Sequence, residues 1–111
     1  RRVLFRSDST MSALFFIQAH IPDDADVRKR YRDYQQQVTP LIARHGGRLL
    51  ATGQKLEAFE GPGPDRRVVV LEFPDIEALR AFWTSPEYTT VRRLREGCEV
   101  TAWAIPTLDD A

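Results

Sequence analysis

Glu72 stands within an otherwise apolar stretch, Val68 to Phe73. A carboxylate in that setting must find a cation or take up a proton. A carboxyl with a raised affinity for its proton can act as a general acid when protonated and as a general base when ionised, and the two histidines, His45 and His20, are the side chains whose ordinary titration falls near neutral pH. These three form the candidate catalytic set, able to move a proton on a small molecule. Each has a competing structural role. Glu72 can form an ion pair with Arg48 or Arg67 across neighbouring strands, His45 can act as a favourable cation at the negative end of a helix dipole, and His20 can be a polar strand end.

A second set could bind a ligand: Arg48, Arg67 and Arg95 through charge, Trp83 and Tyr88 through flat apolar surface. Phe82 and Trp103 could extend that surface, although aromatics at helical spacing are core residues by default, and Arg92, Arg93 and Arg95 also suit a solvated helix face. Ser85 lacks a nucleophile elbow and has a capping role, which argues against a serine hydrolase. The chain has no HExxH, CxxC, GxGxxG or P-loop motif, so zinc hydrolysis and classical nucleotide binding drop out. Its one cysteine, Cys98, excludes an internal disulfide and any multi-cysteine metal site, and fits a reducing cytoplasm. Neither metal nor cofactor is expected.

The elements that must position these residues are legible in order. Ala13 to Ala19 is a nearly continuous apolar run, the signature of a strand covered on both faces. From Asp26 the apolar period becomes helical, through Val27, Tyr31, Tyr34, Val38 and Leu41/Ile42, behind an acidic start at Asp23, Asp24 and Asp26. Pro40 should bend or break this helix late. His45-Gly46-Gly47 ends it, because glycine enters the left-handed region without steric penalty.

Arg48 to Thr52 and Lys55 to Glu60 read as a hairpin about Gly53-Gln54, and Gly61 to Asp65 as a stiff turn. Arg67 to Phe73 is the strongest strand. Asp75 caps a second helix carrying Ile76, Leu79 and Phe82/Trp83. Ser85, Pro86 and Glu87 start a third, which runs to Gly97, and Glu99 to Ile105 is the last strand. The order is that of an α+β, ferredoxin-like βαββαβ domain with an antiparallel sheet.

Arg1 to Thr10 precede a plausible start at Met11, and one back-translation of Arg1 to Ser7 matches the end of a common sequencing adapter. Residues 1–10 are therefore expected to be non-native, 11–106 the domain and 107–111 a polar tail. Leaving out 1–10 removes three of the 16 basic and one of the 16 acidic residues, leaving 13 and 15. That mild acidity does not favour nucleic acid. Without a run of roughly 18 apolar residues, nothing points to a membrane span.

Parity along the strands exposes a packing problem. Val68, Val70 and Glu72 share one face, and Arg67, Val69, Leu71 and Phe73 the other; Leu14, Phe16, Gln18 and His20 oppose Phe15, Ile17 and Ala19. Helices cover one face of such a sheet, yet both faces are mostly apolar. A second copy of the chain, packed sheet to sheet about a twofold axis, is the economical cover.

The segments HGGRLLATG, GPGPDRRVVVLEFPDIEALRAFW and SPEYTTVRRLR, within Ala13 to Pro106, resemble a family of small bacterial proteins of the dimeric α/β-barrel type, a domain of unknown function. The matching positions include His45, Gly46, Gly47, Arg48, Gly61, Arg67, Glu72, Trp83, Ser85, Tyr88 and Arg95; Thr52-Gly53-Gln54 departs from the more glycine-rich turn of the pattern. The resemblance implies a ferredoxin-like fold, a homodimer and a cleft between sheet and helices in each subunit, but no established reaction. Relatives of the wider fold include cofactor-free monooxygenases, lactone isomerases and haem-handling proteins.

The sequence thus predicts a homodimeric α/β-barrel protein that binds a small molecule in its cleft. The alternative is a cofactor-independent monooxygenase- or isomerase-like enzyme using Glu72 and a histidine. An RNA-recognition fold shares the strand order, but Val68 and Val70 occupy the positions where its stacking rings would sit.

Overall fold

The computed structural model describes residues 11–108; the segment 1–10 expected to be non-native, and residues 109–111 of the expected tail, lie outside the described residues. The chain runs β1 (Ala13–His20), α1 (Ala25–Arg44), β2 (Arg48–Gly53), β3 (Arg67–Phe73), α2 (Ile76–Trp83), α3 (Pro86–Arg92), a 3-10 turn (Arg93–Arg95) and β4 (Glu99–Pro106). The sheet order is β2-β3-β1-β4, and every neighbouring pair is antiparallel. This is the α+β, ferredoxin-like arrangement that the sequence predicts.

The helix starts follow from local chemistry. Asp24 Oδ1 accepts the backbone N–H groups of Asp26 and Val27, each at 3.0 Å. Asp75 Oδ1 accepts that of Ala78 at 2.7 Å. Ser85 Oγ accepts that of Tyr88 at 3.1 Å, with Pro86 in the first turn of α3. Each cap satisfies N–H groups that a helix leaves unpaired at its start. At the other end of α1, Gly46 takes φ 80°, and Gly47 N–H returns to the Ile42 carbonyl at 2.9 Å.

Two expectations are corrected. Lys55 to Glu60 form no strand: β2 pairs directly with β3, and residues 54–66 connect them without regular structure. β3 already has β1 and β2 on its two edges, so a fifth strand would lie beyond β2 and outside the helices' cover. Leu56 is exposed and Phe59 is 89% exposed, so strand formation there would gain little apolar burial to offset backbone entropy. Of the bend or break expected at Pro40, it is the break that is corrected, since α1 runs on to Arg44. Leu41 is buried in the core and Ile42 packs against it, outweighing the one helical hydrogen bond that proline cannot donate.

The core lies between the sheet and the helix layer. Phe15, Leu71 and Phe73 from the sheet meet Leu41, Leu79 and Phe82 from the helices. Phe73 is edge-on to Phe15 at 6.5 Å and tilted against Phe82 at 5.4 Å. Among the described residues, no helix is long and apolar enough to cross a membrane.

Candidate functional site

Strand register sorts the side chains. Phe15, Ile17 and Ala19 of β1 sit opposite Leu71, Val69 and Arg67 of β3, and on the other side opposite Ala104, Ala102 and Val100 of β4. This face meets the helices. Above it α1 contributes Tyr31, Tyr34, Gln35 and Val38, leaving a cleft of about 330 Å³. Leu49 and Ala102 on its wall are exposed, so solvent reaches it. Small-molecule sites run from roughly 300 to 1,000 Å³, which puts this one at the compact end.

The polar groups of the wall include Arg67, which lines up with Ala19 and Val100 across the sheet, and a cluster of tyrosines and Arg95. The Tyr34 and Tyr88 hydroxyls are 2.9 Å apart. Arg95 Nη2 donates to Tyr88 Oη at 3.4 Å, and its guanidinium lies 5.7 Å from the Tyr34 ring centre. Arg67 Nε is buried and has no hydrogen-bond partner among the described residues. Trp83 packs on Tyr88 with ring centres 5.3 Å apart, and the Arg92 guanidinium covers Trp83 at 4.9 Å.

Burial, then the neighbouring Tyr88 hydroxyl, pushes the Tyr34 phenol far above its ordinary range. Burial also raises Tyr31, against an opposing pull from Arg67. Both therefore stay protonated near neutral pH and act as hydrogen-bond donors. Burial likewise raises the Cys98 thiol, which keeps it from being a ready thiolate nucleophile.

Of the residues singled out in the sequence, Arg67, Trp83, Tyr88 and Arg95 come together on the cleft wall. Arg48 borders the cleft too, but its guanidinium is engaged by Glu72 Oε1, with Nε at 3.1 Å and Nη2 at 2.9 Å. Glu72 lies on the other sheet face, where Ser12 Oγ donates to its Oε2 at 2.8 Å.

His20 shares that face. It lies at the far end of β1 from Leu14, the residue opposite Glu72, which is roughly 20 Å away at the rise of a strand. His45 sits at the C-terminus of α1, its Nδ1 3.0 Å from the Leu41 carbonyl and its ring edge-on to Phe82 at 5.8 Å. Glu72, His45 and His20 thus occupy three separate places. Trp103 also lies off the cleft, stacked on Phe16 across the outer face at 5.8 Å.

Tyr31 and Tyr34 are the cleft residues that the sequence reading passed over, having placed them in the apolar stripe of α1. The available signal was a phenol, with its polar tip, at two stripe positions where leucine would serve a plain core. No group of three or more His, Cys, Asp or Glu that could hold a metal occurs among the described residues.

Solved structures share this architecture. A protein of unknown function from Rhodopseudomonas palustris superposes with a TM-score of 0.69 at 19% identity, covering 89% of this chain and 84% of its own. A dimeric protein of unknown function and ferredoxin-like fold from Bacteroides fragilis gives 0.63 at 13% identity, with 86% and 96% covered. SnoaB, a cofactor-independent oxygenase from Streptomyces nogalater, gives 0.59 at 11% identity, with 90% and 96% covered. At these identities the likeness establishes fold alone. No curated protein matches the chain. The family model for the domain of unknown function DUF1330 matches residues 13–106, and the chain belongs to that family.

Proposed function

We propose that this DUF1330 protein is a homodimeric binding protein that takes one small, largely apolar molecule into the cleft of each subunit. The composition of the cleft wall carries this reading. It is mostly aliphatic and aromatic, with a few guanidinium and phenol groups, and among the described residues its lining contains no Asp, Glu, His, Lys or Cys. Apolar walls with a few converging polar groups are the hallmark of small-molecule sites.

A wall without a side chain that titrates near neutrality suits holding and orienting a ligand better than moving protons. The alternative, cofactor-independent monooxygenase- or isomerase-like chemistry through Glu72 and a histidine, needs those groups at the cleft. Their positions on the outer face, at a helix end and at a strand end do not favour it.

The outer sheet face supports the dimer. Leu14, Phe16, Val68 and Val70 share it with Trp103 and Ile105, which are 47% and 53% exposed. A second copy packed sheet to sheet would bury this surface, and the Bacteroides fragilis protein of the same fold is dimeric. A cytoplasmic setting completes the proposal, on the strength of a single cysteine.

The binding test is calorimetric titration with the neutral bicyclic probe 2-naphthamide, expected to saturate at one molecule per subunit. Ala102→Phe, at an exposed wall position, should fill the cleft and abolish binding while the fold is retained. Undiminished binding in that variant would put the ligand elsewhere and end this reading.

A further inference from the structure

We infer that the cleft selects an anion, specifically a compact aromatic or alicyclic carboxylate whose carboxylate group is received between Arg67 and Arg95 while its ring lies on the apolar wall. The inference rests on the reading of the cleft as a small-molecule site and adds the class of ligand.

Its starting point is an unmet hydrogen bond. Arg67 Nε is buried without an acceptor among the described residues, and a buried donor left unmatched is costly enough that native structures rarely keep one without a use. Arg67 borders the cleft, so an anion held there would act on a guanidinium whose charge no acceptor among the described residues has claimed at Nε.

Charge points the same way. Among the described residues the ion pairs of arginine involve Arg28, Arg30, Arg48, Arg66 and Arg80, and neither Arg67 nor Arg95. The third arginine bordering the cleft, Arg48, is already neutralised by Glu72. Among the described residues no carboxylate lines the cleft. Tyr31 and Tyr34 do not supply negative charge either, because burial keeps them in the neutral form. Arg67 and Arg95 therefore border a cleft in which the described residues offer them no counter-ion.

Both charges border the same cleft, and Tyr31 on its wall feels each of them electrostatically. Arg95 is pre-positioned by Tyr88 Oη at 3.4 Å and by the Tyr34 ring beneath it, so little order remains to be imposed when an anion arrives. A planar, forked guanidinium matches the two oxygens of a carboxylate. The surrounding Phe15, Ile17, Val69 and Trp83 offer surface to a ring and nothing to a second charge, which favours a monoanion on an apolar body.

The test compares 2-naphthoate with 2-naphthamide, which share a ring system and differ in charge, by calorimetric titration of the full chain. The carboxylate should bind tighter by on the order of 10- to 100-fold, the range for a charge-assisted hydrogen bond in a partly buried site. Arg67→Met should weaken naphthoate far more than the amide, bringing the two probes to similar affinity. Arg67→Lys, which keeps the charge but loses the fork, should fall between.

Equal affinity of wild-type protein for the two probes overturns the anion inference and leaves the cleft reading standing. Absence of binding by either probe overturns both. If circular dichroism shows Arg67→Met unfolded, Arg95→Met replaces it, with the same selective loss of naphthoate expected; loss of both probes in equal measure would overturn the charge argument.

Discussion

Arg48 reaches Glu72 from the neighbouring strand with two nitrogens on a single carboxylate oxygen, Nε at 3.1 Å and Nη2 at 2.9 Å. Glu72 has 15% side-chain exposure and Arg48 63%, so the acid is the desolvated partner and depends on the pair more than the base does. The cross-strand register that places Arg48 opposite Glu72 gives the carboxylate a structural role on the outer face.

Replacing Glu72 with Gln should therefore cost stability and spare the cleft. The expected loss is about 1 kcal/mol, typical of a partly exposed charged hydrogen bond, read from urea unfolding with unchanged slope. A double-mutant cycle with Arg48→Ala should recover a coupling of similar size. If Glu72→Gln abolished probe binding at full stability, the carboxylate would have a functional role.

Two of the cleft tyrosines, Tyr31 and Tyr34, predict an alkaline transition. Both phenols have folded-state values above the ordinary 10.0, so the folded protein holds these protons more tightly than the unfolded chain does. Their contribution is fully present below pH 10 and is lost as the pH climbs above it toward the folded values. Stability should be flat from neutral pH to about pH 9 on this account and then fall. Ultraviolet absorbance should show phenolate appearing together with unfolding, and Tyr34→Phe should lessen the fall. A normal phenol titration in the folded state would contradict this.

The α1–β2 corner should tolerate no side chain. A Cβ on Gly47 would lie 2.7 Å from Phe73 and 2.8 Å from Ile42, both ring or branched groups of the core; one on Gly46 would lie 2.7 Å from Pro74, at φ +80°. Either alanine substitution should destabilise by about 1–3 kcal/mol. Gly53→Ala, with nothing within 4 Å of the new carbon, should be near neutral. Thermal melts of the three variants give the comparison.

Trp103→Arg should convert the proposed dimer to a monomer, because the substitution places a charge within the outer apolar face. Sedimentation velocity at micromolar concentration should show one subunit's mass for the variant and two for the wild type. A well-folded wild-type monomer would remove the proposed sheet-to-sheet interface.

Helix caps, the glycine stop after α1 and alternation along β1 and β3 were legible from residues because their energetics are local. Asp24, Asp75 and Ser85 each satisfy N–H groups two or three residues ahead, Gly46 serves the φ of its own residue, and the face assigned to Glu72 follows from counting by two along a strand. The strand order followed from the same signals, since a βαββαβ succession leaves few compact arrangements.

What only the tertiary structure decided depends on groups far apart in the chain. Whether Lys55 to Glu60 becomes a strand turns on whether an edge under helical cover remains for it, and β1 and β2 have taken both edges of β3. That Arg67 would face the cleft was a matter of parity. That its Nε would be buried without a partner among the described residues, on the same cleft as an Arg95 in contact with two tyrosines from different helices, required every neighbour to be in place. Desolvation and the absence of a counter-charge belong to a whole enclosure, and no single stretch of sequence contains one.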